Sequence, residues 1–113
     1  MPIIDMSVPI ASRQLPVLDR DGSASSVNVT VGTPVPDPRD PSRTWACPYQ
    51  IAAMGRVETR AMFGVDAMQA LILTLHILPR ELRALARDTG IRFVEEADLG
   101  LSHACRTHME LAG

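Results

Sequence analysis

Residues 57–63, VETRAMF, run straight into residues 64–87, GVDAMQALILTLHILPRELRALAR, and at their junction the hydrophobic period changes from two to that of a helix. Val57, Thr59, Ala61 and Phe63 alternate with Glu58, Arg60 and Met62, which predicts a strand. Asp66 can accept a backbone N–H bond as an N-cap, and Gln69 stands three positions on, where its amide closes a capping box. Gly64 is expected to let the chain turn sharply into the helix. Pro79 lacks an N–H and crowds the preceding turn, so a kink or break is expected there, and Gly90 is expected to end the second half.

Advancing about 100° per residue places Met68, Leu71, Ile72, Leu75, Leu78, Leu82 and Leu85 in one wide arc, the expected core face. Gln69, His76, Arg80, Arg83 and Arg87 form a solvated stripe. Leu73 and Ile77, with the small Ala70 and Ala84, fall on neither and make a second apolar patch. One sheet cannot cover both patches, so the second is the expected partner-binding surface unless the chain's own Leu99, Leu101, Met109 and Leu111 fold back to cover it.

Upstream the period stays two. Val27, Val29 and Val31 alternate with Asn28 and Thr30, and a polar turn at residues 19–26 separates them from an earlier strand at residues 13–18. A connection with four prolines, residues 33–43, leads to Trp45, Cys47, Tyr49 and Ile51, which alternate with Thr44, Ala46, Pro48 and Gln50. Pro48 costs a central strand a ladder bond, so either a bulge sits there or the strand order is not a plain meander. Residues 91–94 offer a short fifth strand. The expected fold is therefore α+β: two layers, a four- to five-stranded mainly antiparallel sheet, and one main C-terminal helix kinked or broken near Pro79. The expected organisation is a flexible segment at residues 1–10, a single domain at 11–101 and a tail at 102–113.

At 113 residues the chain is long enough to bury one core without disulfides or a structural metal. A net charge of −2 argues against nucleic-acid and membrane-surface partners, which select for concentrated positive charge. All eleven basic residues are arginine, which we read as the mark of a GC-rich bacterial genome. The first ten residues lack a basic n-region and their apolar run is cut by Pro2, Asp5 and Pro9, so no signal peptide is expected. No segment is long enough to span a bilayer. Two cysteines without an export signal read as reduced thiols, and the expected compartment is the cytoplasm.

The order of Gly32-x-Pro34-x-Pro36, then Trp45-Ala-Cys47-Pro48-Tyr49-Gln-Ile51, then Gly64-Val-Asp66-Ala-Met-Gln69-Ala70-Leu71, and a late Asp98-Leu99-Gly100, resembles a family of short, uncharacterised bacterial proteins. The resemblance covers residues 13–101 and implies a fold and a bacterial origin. It carries over no catalytic residue.

Other residues have the chemistry for a site. His103, Cys105 and His108 are three soft ligands suited to zinc or copper, but a fourth ligand is missing, and an exposed polar tail is the plainer account. Cys47 reads as a small buried hydrophobe, because no neighbouring base or cation would activate it. Arg80, Arg83 and Arg87 could grip an anion or an acidic partner, yet Glu81 and Asp88 interleave them, as on a solvated face. Glu95, Glu96 and Asp98 lack the spacing of a calcium loop. The stiff loop at residues 33–43 would suit a docking ligand, or serve as a connector.

The sequence contains no G-x-S-x-G elbow, Walker loop, dinucleotide fingerprint, H-E-x-x-H or paired Cys-x-x-Cys. No cofactor is expected. The leading expectation is a cytosolic protein-interaction domain without catalytic activity, an immunity-type or adaptor partner, binding another protein or itself as a homodimer. The alternative is a small-molecule-binding or catalytic domain with a pocket between sheet and helix.

Overall fold

The structure, a computed structural model, describes residue 6 and residues 8–94. Among them lie β1 (Pro9–Leu18), β2 (Ala24–Gly32), β3 (Val35–Pro36), β4 (Trp45–Ala53), β5 (Arg56–Gly64), α1 (Ala67–Thr89) and β6 (Arg92–Phe93). The fold is α+β, a mainly antiparallel sheet of six strands among the described residues with one helix following the fifth. The chain separates into two compact units. Among the described residues, one holds residues 8–14 with Val27–Thr74, the other Leu15–Ser26 with residues 75–94.

In the first unit β4 is the central strand. β5 pairs with its whole length, from Trp45↔Gly64 to Ala53↔Arg56, in an unbroken register. A strand has only two edges, so β2, opposite residues 49–52, and β3, opposite residues 45–46, must share the other one end to end. The hairpin turn joining β4 to β5 is Met54-Gly55, with φ of 53° and 74°. Two central residues at positive φ make a type I′ turn, whose twist matches that of the strands.

This register disposes of the difficulty with Pro48. β4 carries no bulge, and β1, β2, β4 and β5 do follow one another as neighbours. The strand beside Pro48 is interrupted instead: the β2 ladder stops at Tyr49 and β3 begins at Ala46, leaving Cys47 and Pro48 opposite the break. A proline there removes an N–H that no ladder partner awaits. Cys47 fills part of the gap, its thiol donating to the Gly32 carbonyl at 3.5 Å.

Register also assigns the faces. Val29 and Val31 stand opposite Ile51 and Tyr49, so they share a face with Cys47, and Val27, Val29, Val31, Cys47 and Tyr49 are all buried. Ala46 and Pro48, on the other face, are buried as well. The proline-studded segment explains part of this, since its Arg39 guanidinium lies 4.8 Å from the centroid of Phe63, the residue opposite Ala46. The buried Asp37 carboxylate accepts from the Arg39 backbone N–H at 3.1 Å and from Nε and Nη2 at 3.1 Å each. Thr44 N–H donates to the Asp40 carbonyl and its hydroxyl to Asp40 Oδ2, closing the loop on itself.

In the second unit the C-terminal half of β1 pairs antiparallel with β6, Val17↔Phe93 and Leu18↔Arg92, so the expected short strand after the helix is present. The turn between β1 and β2 is closed by Asp19 N–H donating to Ser23 O at 2.8 Å, with Gly22 at φ 89°. The buried side chains here are Leu15, Val17, Leu78, Leu82 and Ile91. Gly90, at φ 81°, ends α1 as expected, its N–H donating to Ala86 O. Pro79 causes no break: α1 is one continuous helix from Ala67 to Thr89 with the proline inside it.

Candidate functional site

The start of α1 is set by short-range bonds. The Gln69 N–H donates to Asp66 Oδ1 at 2.7 Å, the expected cap, and Gln69 Oε1 accepts from the Val65 N–H at 2.7 Å, one residue further back than in a standard capping box. Gly64 has a different role from the one expected. It is absent from the positive-φ glycines, and a Cβ there would lie 2.6 Å from Ala70 N and 3.0 Å from Gln69 C. The glycine permits a close approach of strand end to helix rather than a sharp turn.

That approach decides which way the helix faces. Ala70 and Thr74 are fully buried. The Thr74 hydroxyl donates to the Ala70 carbonyl at 2.9 Å and lies 3.4 Å from the carbonyl oxygen of Cys47. The thiol of Cys47 is pushed above its ordinary range by loss of hydration, slightly opposed by Thr74. It is a free, buried, unactivated cysteine, as its neighbours in sequence suggested.

With Ala70 and Thr74 inward, Met68 and Ile72 are carried about 160° around the helix. They are 70% and 56% exposed, and Val65, just before the helix, is 71% exposed. Leu75, one further step along the same helix, is 44% exposed. The expectation that Met68, Ile72 and Leu75 belong to the core is therefore overturned. Ala70, assigned to the second patch, is buried, while Leu73, Ile77 and Ala84 are half-buried. Leu78 and Leu82 of the same expected face are buried, as expected, and Leu71 and Leu85 are half-buried, so the departure is confined to Met68, Ile72 and Leu75. In the first half of the helix the physical cause is size: the closest approach is made by Gly64, Ala70 and Thr74, and Met68 and Ile72 lie about 160° away from them.

Arg80, Arg83 and Arg87 are exposed on α1. Arg87 Nε stands 3.7 Å from Asp88 Oδ1, with both side chains more than 70% exposed, a pairing worth little in water. His76 is exposed too. His103, Cys105, His108, Glu95, Glu96 and Asp98 lie outside the described residues. Among the described residues no group of three or more His, Cys, Asp or Glu could hold a metal ion, and no helix is long and apolar enough to cross a membrane.

Two features escaped the sequence reading. The outward turn of Met68 and Ile72 had no local signal. The Asp37–Arg39 clamp did have one, an acid and an arginine two apart between prolines, but the buried state of Asp37 depends on its surroundings. Paired with Arg39, its carboxyl is held below the usual carboxylate range, by the guanidinium bonds first and the Arg39 N–H next.

Val65, Met68 and Ile72 are exposed and apolar, and Met68 is adaptable in shape. A family model described as a domain of unknown function (DUF6968) matches residues 11–103, and the chain belongs to that family. No curated protein and no solved structure matches it.

Proposed function

We propose that this member of the DUF6968 family is a small interaction domain that acts by binding another protein, with Met68 and Ile72 as anchors and Val65 beside them. The observation that carries the proposal is the exposure of these three large apolar side chains, each more than half open to water on a helix whose rotation is held by Gly64, Ala70 and Thr74. An immunity-type or adaptor role in the bacterial cytoplasm fits a chain that keeps a free buried thiol and has no catalytic motif in its sequence.

The test is native mass spectrometry of the full chain purified from its own host, compared with the Met68→Glu/Ile72→Glu variant. A defined protein complex lost in the variant, with the melting curve unchanged, is the expected result. A complex indifferent to both substitutions refutes the proposal. A bound small molecule in place of a protein points to the alternative, a ligand-binding or catalytic domain.

A further inference from the structure

The outer edge of β5 is a second surface, independent of the helix. Among the described residues β5 pairs with β4 alone. Its residues 56–60 are all exposed, Val57 at 61%. An open edge of this length is a template for another strand. Here the order of charges says which strand.

Glu58 and Arg60 lie on one face of β5 and already pair at 3.1 Å, with side chains 56% and 55% exposed. Two copies of β5 placed antiparallel about a two-fold axis through Thr59 put Glu58 of each opposite Arg60 of the other. Each carboxylate then has a guanidinium beside it and another across the seam. Val57 falls opposite Ala61, and seven residues of each strand overlap. An axis perpendicular to the sheet keeps the two core faces on the same side, as a continuous sheet requires. Other registers are worse. Centring on Glu58 sets Glu58 against itself and Arg56 against Arg60, centring on Arg60 sets Arg60 against itself, and centring on Val57 leaves only three residues in overlap. Centring on Ala61 overlaps seven residues but puts Glu58 opposite Gly64 and Arg60 opposite Met62, with no opposite-charge pair across the seam. Like charges directly opposite are destabilising and opposite ones stabilising.

We propose that β5 is an isologous dimer edge whose occupant is a second copy of this chain, paired strand to strand about Thr59 with Glu58 and Arg60 exchanged across the seam. The edge and the helix surface are separate, so either can fail without the other.

Sedimentation equilibrium of the full chain at micromolar concentrations reads the assembly. Glu58→Arg and Arg60→Glu should each raise the dimer dissociation constant about tenfold or more, and the double exchange Glu58→Arg/Arg60→Glu should restore it, since the seam again pairs opposite charges. In a Cys105→Ser background, Thr59→Cys should form an intermolecular disulfide on mild oxidation, because residues opposite in an antiparallel ladder sit about 4.5–5.5 Å apart at Cα, within disulfide reach. Val57→Cys should not. Circular dichroism checks that each variant is folded. A monomeric wild type, a dimer unaffected by both single reversals, or cross-linking of Val57→Cys as readily as Thr59→Cys overturns the proposal, and a dimer broken by Met68→Glu instead assigns the contact to the helix.

Discussion

Gly64→Ala should destabilise the protein although it adds one methyl group at a residue with no backbone strain. The new Cβ would stand 2.6 Å from Ala70 N, about 0.8 Å short of ordinary van der Waals contact, and 3.0 Å from both Gln69 C and Gln69 Cβ. Two of those three neighbours are backbone atoms, and they cannot swing aside. If the helix stays, the overlap costs about 1–3 kcal/mol, the usual range for overpacking. If the first turn shifts, the Asp66–Gln69 cap at 2.7 Å and the Ala70 N–H to Asp66 O bond at 3.1 Å are strained, and a lost cap costs about 0.5–2 kcal/mol. Alanine restricts the unfolded chain and returns about 0.4–1 kcal/mol. The net expectation is a loss of roughly 1–2 kcal/mol, or a fall in melting temperature of about 4–15 °C for a domain of this size. Urea titration followed by circular dichroism measures the first, and calorimetry the second. Gly55→Ala is the comparison: its Cβ meets nothing within 4 Å, so only the φ of 74° opposes it. A Gly64→Ala protein within about 0.5 kcal/mol of the wild type would show that close packing at Gly64 does not hold the helix rotation.

Met54, at φ 53° in a turn that asks for asparagine or glycine, should accept Asn with a gain of about 1 kcal/mol, seen as a raised urea midpoint. Leu73→Glu and Ile77→Glu, at half-buried positions, should lower stability by about 1–3 kcal/mol, whereas Met68→Glu should leave it within about 0.5 kcal/mol; parallel melts separate the two classes. Asp37→Asn should weaken the clamp on Arg39 in a pH-dependent way. Because the folded carboxyl titrates below its unfolded value, the unfolded chain binds the proton more readily, so the stabilisation is complete above about pH 4–5 and is lost as the pH falls through the folded value. Melts from neutral to acid pH should show the gap between wild type and Asp37→Asn closing. In a Cys105→Ser background, Cys47 should resist a disulfide reagent until urea unfolds the chain, since its thiol is buried and held protonated.

Period-two alternation at residues 27–31, 45–51 and 57–63 and the Asp66-x-x-Gln69 signal are local. Each strand or helix start depends on residues within a few positions of itself, and each was legible in the sequence. The short strand after Gly90 was legible for the same reason. Pro48 was an ambiguity that no local rule could resolve, because its answer lies in where the neighbouring strand breaks, between Tyr49 and Ala46. The rotation of α1 about its own axis was the most consequential thing only the tertiary structure decided. Hydrophobicity summed around the helix weights its largest residues, which points Met68, Ile72 and Leu75 inward. Close packing weights its smallest, because a strand end and a helix can approach only where Gly64, Ala70 and Thr74 leave room. Met68 and Ile72 therefore remain outside, chosen by the Gly64–Ala70 approach and the Thr74–Cys47 contact, whereas Leu78 and Leu82 are buried as the pattern within the helix predicts.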